Sequence, residues 1–491
     1  MKKAVSIFML CFVVLAEAQI SNLTSLASGT MQMFSPIYEQ NRDVYGYFSL
    51  YKLDKISENE EKYEYVILDK NLNKVANGEF IDSYYKGIFS RYYSPEKING
   101  NLMITKRYAN LSGTILFTST RLLQLDNNNI LAPFYFDNFA LQEGFRDANS
   151  LKKTERKKAF FNVPIGTNNG YVVVEAQKKK GKENPTSIQF YNLNHEKLWD
   201  YSFGENGENA KYSLMSFEDY VMYFDYTKAA FRENSVEVLQ IDSKTGQKNF
   251  EYRLEDDSSE FSYGYTIKKI DDRTILTGKI SLYRPTGYNT NGAVGLFKIV
   301  LDKEGKEIFK KHFLWEDASK FIEMNDKGKM EAGYKLFVHS YFVFNDERIA
   351  VLSEKFKTAQ NILWGAHFKT EDFVLLSFDK DFNLVEANTI EKGMTKFSNS
   401  DLLFAQYLNN ENDAVFFYKD YQKDSETKEK NWVLGIVSYV NGKIKHERIP
   451  MSSDDFFIHP YIAKEGYVLL REFNKNSDFD KIRLERLNLN Q

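Results

Sequence analysis

The sequence predicts an all-β chain folded as a single β-propeller, and three observations carry that prediction. First, an apolar strand, a short polar turn and a second strand recur seven times. The turns fall at Asp69-Lys70-Asn71-Leu72-Asn73, Asp126-Asn127-Asn128-Asn129, Asn192-Leu193-Asn194-His195-Glu196, Asp242-Ser243-Lys244-Thr245-Gly246, Asp302-Lys303-Glu304-Gly305, Asp379-Lys380-Asp381-Phe382-Asn383 and Tyr439-Val440-Asn441-Gly442-Lys443. From Asp69 to Asn441 is 372 residues over six intervals, a mean period of 62 residues, which fits about four strands per repeat. Second, middle strands such as Tyr171–Val174 and Phe373–Leu376 are apolar on both sides, as strands covered on both faces must be. Third, Phe and Tyr are abundant, at 40 and 32, while Pro is only 8, a composition suited to pleated, half-buried surfaces.

In chain order, residues 1–18 read as a signal peptide and 19–491 as the propeller domain. Lys2 and Lys3 form a charged head, Ile7 to Leu15 an apolar core, and Ala16-Glu17-Ala18 a small-x-small cleavage pattern. The expectation is export, to a periplasm or to the extracellular side or cell surface. The apolar core is too short to span a bilayer and no later segment is long enough, so no transmembrane anchor is expected. Cys11, the one cysteine, falls inside that core, which excludes a thiol nucleophile or thiolate metal site from the mature chain. With 65 basic against 68 acidic residues, charge gives no reason to expect nucleic acid as a partner.

The repeat is clearest from Gly333 to Ile390: strands Tyr334–Phe344 and Arg348–Phe356, a long loop Lys357–Asp372, then strands Phe373–Phe378 and Leu384–Ile390 around a tight turn. Four such strands make one blade. The last unit, Phe456 to Asn490, offers only three strands. Ile20 to Leu26 is expected to supply the missing outer strand and close the ring, removing open edges. The count is eight four-stranded blades. Seven is the alternative, because the unit Tyr92 to Phe136 is irregular around Asn110-Leu111-Ser112-Gly113.

Connections from first to second and third to fourth strands are short. The others are long: Asn138 to Ala159, Lys178 to Thr186, Arg284 to Gly292, Glu316 to Ala332, Lys357 to Asp372 and Asp420 to Asn431. Propeller topology brings these to one face, and long loops on a rigid scaffold are where binding residues gather.

The hairpin Ile241 to Phe250 resembles the Asp-x-x-Thr-Gly-x-x-x-Trp repeat of quinoprotein-like and WD-repeat-like propellers, with Phe250 in the Trp position. Asp302 to Phe309 is one residue shorter, and Asn194 to Trp199 lacks the Gly. The resemblance implies a structural girdle, in which Asp and Gly shape the turn and the aromatic packs between blades. Quinone-pocket residues have no counterpart, so no cofactor is expected. As a whole the chain resembles exported bacterial β-propellers of uncharacterised families, a likeness that implies fold and carries no activity. Asp69-x-Asn71-x-Asn73 and Asp379-x-Asp381-x-Asn383 mimic the start of a calcium loop, but Lys74 and Leu384 replace its Gly and Phe80 and Ile390 its Glu. Turn formation is the expected role, and no metal site is expected.

Candidate partner-binding residues fall in two groups. His339, Tyr341, His459 and Tyr461 lie on predicted innermost strands, where side chains can face a central channel. Arg284 and Tyr288 lie in one long loop, and Trp364, His367 and Phe368 in another, where exposed aromatic residues would anchor recognition. The basic runs Lys152–Lys158 and Lys178–Lys182 decorate the same face. The sialidase Ser-x-Asp-x-Gly box and the hydrolase Gly-x-Ser-x-Gly elbow are absent. The functional expectation is an exported binding or scaffold module for a protein, peptide or glycan. The alternative is a hydrolase or lyase with two carboxylates within about 10 Å at the channel mouth.

Overall fold

The computed structural model describes residues 20–489 apart from 40–42, 112, 114, 138–157, 161–163, 168, 180–181, 203–209, 219–220, 230–233, 255–260, 283–292, 326–327, 362–364, 397–399, 424–429, 452–456 and 475–479. Its strands run as consecutive antiparallel meanders, within which most strands pair with the next in sequence. Among the described residues they make seven hydrogen-bonded sheets, the largest being two meanders joined by one parallel bridge, Tyr38 to Glu96. The N-terminal strand Ile20–Asn22 pairs with Asp480–Arg486, in the register Ile20 to Arg483, and so becomes the outer strand of the C-terminal sheet.

The tight turns form for the expected reason. Asp69 Oδ1 accepts the backbone N–H groups of Asn71 and Asn73 at 2.8 and 2.9 Å, while its Oδ2 accepts the Asn73 amide at 3.0 Å. Asp379 holds Asn383 in the same way, at 2.7 and 2.9 Å. In both turns the fourth residue is left-handed, with φ +68° at Leu72 and +56° at Phe382. Burial offsets this strain: Phe382 is fully enclosed and stacks on Phe378 at 4.5 Å.

Alternation along the middle strands explains their apolar character. Val172 and Val174 pack with Met222 and Phe224 of the following sheet, whereas Tyr171 and Val173 pack with Met103 and Leu122 of the preceding one. Val351 and Leu352 divide likewise, the first with Ile275 and Leu296 and the second with Phe416 and Val437. Every meander shares such a cluster with its successor, and Leu469 and Ile482 of the last pack with Tyr47 and Val66 of the first. Sheets stacked face to face in sequence order are the arrangement of a β-propeller.

Two expected loops are strand instead. Strands Ile349–Asn361 and Gly365–Phe378 pair through most of Lys357 to Asp372, and Gly170–Lys179 and Lys182–Asn192 through Lys178 to Thr186. Polar residues there mark a ribbon reaching beyond the packed body; its backbone groups still pair.

Candidate functional site

In an antiparallel meander, connections alternate between two ends. Turns such as 271–272, 344–348 and 379–383 lie at one end, and the longer connections 315–334 and 391–401 at the other. At that long-connection end, between the sheets Lys335–Ile390 and Leu402–Pro450, four ionisable side chains converge.

His339 comes from the first strand of its sheet, Glu354 from the second, and Lys392 and Asp401 from the following connection. Lys392 Nζ lies 2.8 Å from Asp401 Oδ2 and 3.1 Å from Glu354 Oε1, the latter an ion pair without hydrogen-bond alignment. His339 Nε2 meets Glu354 Oε2 at 2.8 Å and Ser400 Oγ at 3.3 Å. Thr370 donates to Asp401 at 3.2 Å, and the Gly393 N–H donates to Asp420 at 2.8 Å. The Lys392, Glu354 and Asp401 side chains are all at most 2% exposed. Two carboxylates thus share one ammonium, which brings them as near as a two-carboxylate hydrolase requires. Lys392 ties both, however, and neither reaches solvent. The geometry braces the connection; it does not offer an acid and a base.

Above this bracing lies an aromatic rim. Phe337 is 43% exposed and packs on Phe356 at 5.5 Å, and Phe356 lies 6.3 Å from Phe368, itself 40% exposed. Phe337 also meets His339 edge-on at 5.0 Å. Met394, 43% exposed, receives the Tyr334 hydroxyl at 3.9 Å.

Of the residues nominated from sequence, His339 and Phe368 fall at this site. His367 lies on the same strand, Gly365–Phe378. Trp364, Arg284 and Tyr288 lie outside the described residues, as do the signal segment and Lys152–Lys157. Tyr341 is half-buried: it packs against the core cluster of Val343 and Val351, and burial pushes its hydroxyl pKa up. The chain bulges between Val338 and Ser340, which shifts the alternation and brings Tyr341 against the cluster of Val343. His459 meets Tyr461 edge-on at 4.9 Å; partial burial of its ring and then the Arg471 charge hold its pKa down. Tyr461 packs edge-on against Phe34 at 5.3 Å. The two histidines are not brought together, because the sheet Leu402–Pro450 stands between their strands. No group of three or more His, Cys, Asp or Glu able to hold a metal lies among the described residues. No described helix is long and apolar enough to cross a membrane.

Glu354, Lys392, Asp401 and Phe337 were not nominated. Glu354 did leave a signal, as a carboxylate inside the otherwise apolar run Ile349 to Phe356.

The stacked meanders and this braced rim define a β-propeller protein. Over residues 1–488 the chain matches the family described as "Family of unknown function (DUF6770)", and it belongs to that family. No curated protein matches it. Among solved structures it is similar to a europium-containing methanol dehydrogenase, at 10% identity and TM-score 0.42, covering 96% of this chain and 94% of that one. It is also similar to the β-propeller domain of the Trilobed protease from Pyrococcus furiosus, at 11% identity and TM-score 0.36, covering 82% and 96%. The WD40 domain of SCAP from fission yeast gives 7% identity and TM-score 0.38, covering 94% of each chain.

Proposed function

We propose that this protein is an exported binding or scaffold module, residues 1–18 being the export signal and 19–491 one propeller domain. We infer eight four-stranded blades closed into a single ring by the N-terminal strand. The face-to-face core clusters, including the one between the last and first meanders, support that count. The partner, a protein, peptide or glycan, binds the long-connection end at the sheet Lys335–Ile390. One observation carries this reading: Phe337 and Phe368 stay exposed beside a charge cluster that fixes the ground beneath them. Rigid exposed aromatic side chains lose little entropy on binding and anchor recognition surfaces.

The test compares wild type with an F337A/F368A double variant for capture from envelope extracts and glycan panels. The expected result is at least about a tenfold loss of affinity for the captured partner, with the melting curve unchanged. Equal capture by both proteins overturns the proposal.

A further inference from the structure

Three lysines stand in one row on the ribbon that extends beyond the sheet Lys335–Ile390. Lys357 lies directly opposite Lys369, and Lys369 directly opposite Lys396, across three adjacent strands. Directly opposed residues of antiparallel strands point to the same face, with Cβ atoms about 5 Å apart, and like charges so placed repel. Strand pairing therefore sets the Cβ atoms of three lysines on one face within a span of about 10 Å. Their face is opposite to the one carrying Phe368, the neighbour of Lys369 in the strand.

The row is not neutralised from within. Among the described residues, the Lys369 and Lys396 side chains make no ion pair or hydrogen bond. Lys357 gives one N–H to the Ala332 carbonyl at 3.3 Å and lies 4.1 Å from the Tyr334 ring centre. The two carboxylates that follow Lys369 have other partners, Glu371 at the Lys357 end of the row. Asp372 is bound by Lys355 at 2.8 Å, and Glu371 interacts with the Tyr334 hydroxyl.

We propose that this row binds an anionic polysaccharide, one carrying sulfate or carboxylate groups along an extended sugar chain. A repeated anion on a linear polymer matches a linear row of cations, and bound anions relieve the repulsion that strand pairing imposes. Met394, 43% exposed and two residues before Lys396, adds apolar surface near the row, suited to the face of a sugar ring. Single-stranded nucleic acid, the alternative polyanion, calls for aromatic platforms on which bases stack, and the exposed Phe368 lies on the opposite face. The row faces away from Phe368, so the inference goes beyond the reading above and marks a second surface at the same end.

The experiment titrates the full chain with dextran sulfate and with uncharged dextran of equal length. The expected result is binding of dextran sulfate only, weakening at least about tenfold between about 50 and about 200 mM salt. A K369E/K396E variant should lose about tenfold or more in affinity while melting no lower than wild type. Failure of wild type to bind dextran sulfate, equal affinity for uncharged dextran, unchanged affinity in K369E/K396E, or tighter binding of single-stranded DNA of matched charge each overturns the inference. F337A/F368A separates the two claims. If that variant still loses its captured partner in those cases, the aromatic surface stands and only the ligand of the lysine row fails.

Discussion

Trp199 lies across Gly246, and the contact joins two successive sheets. Its indole N–H donates to the Ser243 carbonyl at 2.9 Å, so one aromatic side chain caps the tight turn of the next meander. Gly246 has φ +71°, and a Cβ there would stand 2.6 Å from the Trp199 ring. Phe250 meets Gly305 of the following turn in the same fashion. The girdle implied by the quinoprotein-like repeat is thus built from an aromatic of one sheet and a glycine of its successor.

Gly246→Ala should therefore destabilise the protein by about 2 kcal/mol or more, combining left-handed strain with the displaced indole. Urea unfolding reads this directly. An unchanged midpoint would mean that the contact between sheets contributes nothing.

Lys392 holds two enclosed carboxylates, so Lys392→Met should cost about 3–5 kcal/mol by leaving two buried charges without their shared cation. Replacing Lys392, Glu354 and Asp401 together by Met, Gln and Asn should cost far less, because no buried charge is then orphaned. Parallel urea melts of the two variants make the comparison, and equal losses would contradict it.

Glu96, at the bridge between the first two meanders, predicts a pH dependence. Burial raises its carboxyl pKa from 4.5 to about 7, partly opposed by the hydrogen bond from the Gly166 N–H. The folded state holds this proton more tightly than the unfolded chain. Its contribution is complete below pH 4.5, fades as pH rises to about 7, and is gone above. Glu96→Gln should remove about 2 kcal/mol of that decline, less than the full linkage value because the residue is only partly enclosed. Melting temperatures of wild type and variant from pH 4 to 8 should converge at the acid end; parallel curves would refute the assignment.

Removing Ile20 to Leu26 should expose the edge of strand Asp480–Arg486 and take away fully buried Leu23, whose carbonyl accepts the Tyr51 hydroxyl at 2.8 Å. A lower melting point and concentration-dependent aggregation are expected. Leu23→Ala, which keeps the strand pairing, should lower stability by about 2–4 kcal/mol without aggregation. Light scattering distinguishes the two.

The hairpins were legible because their chemistry is local. An Asp or Asn side chain reaches backbone groups two to four residues away, so Asp69-to-Asn73 and Asp379-to-Asn383 announce their turns without help from the rest of the chain. Two-sided apolar strands such as Tyr171–Val174 announced stacking on both faces for the same reason, since alternation is a property of the strand itself. The ribbon ends were misread because a polar segment looks alike whether or not its backbone is paired.

What the sequence determined by itself was therefore the repeating unit, its order, and the N-terminal strand available to complete the last sheet. Tertiary structure alone decided the site. Glu354, Lys392 and Asp401 are separated by a strand pair and a connection, and meet only because two meanders stack. The lysine row likewise depends on register, and a slip of one residue would send Lys369 to the opposite face from Lys357. Charge placement of this kind is set by which strands lie side by side, and neighbours distant in the chain leave no local pattern to read.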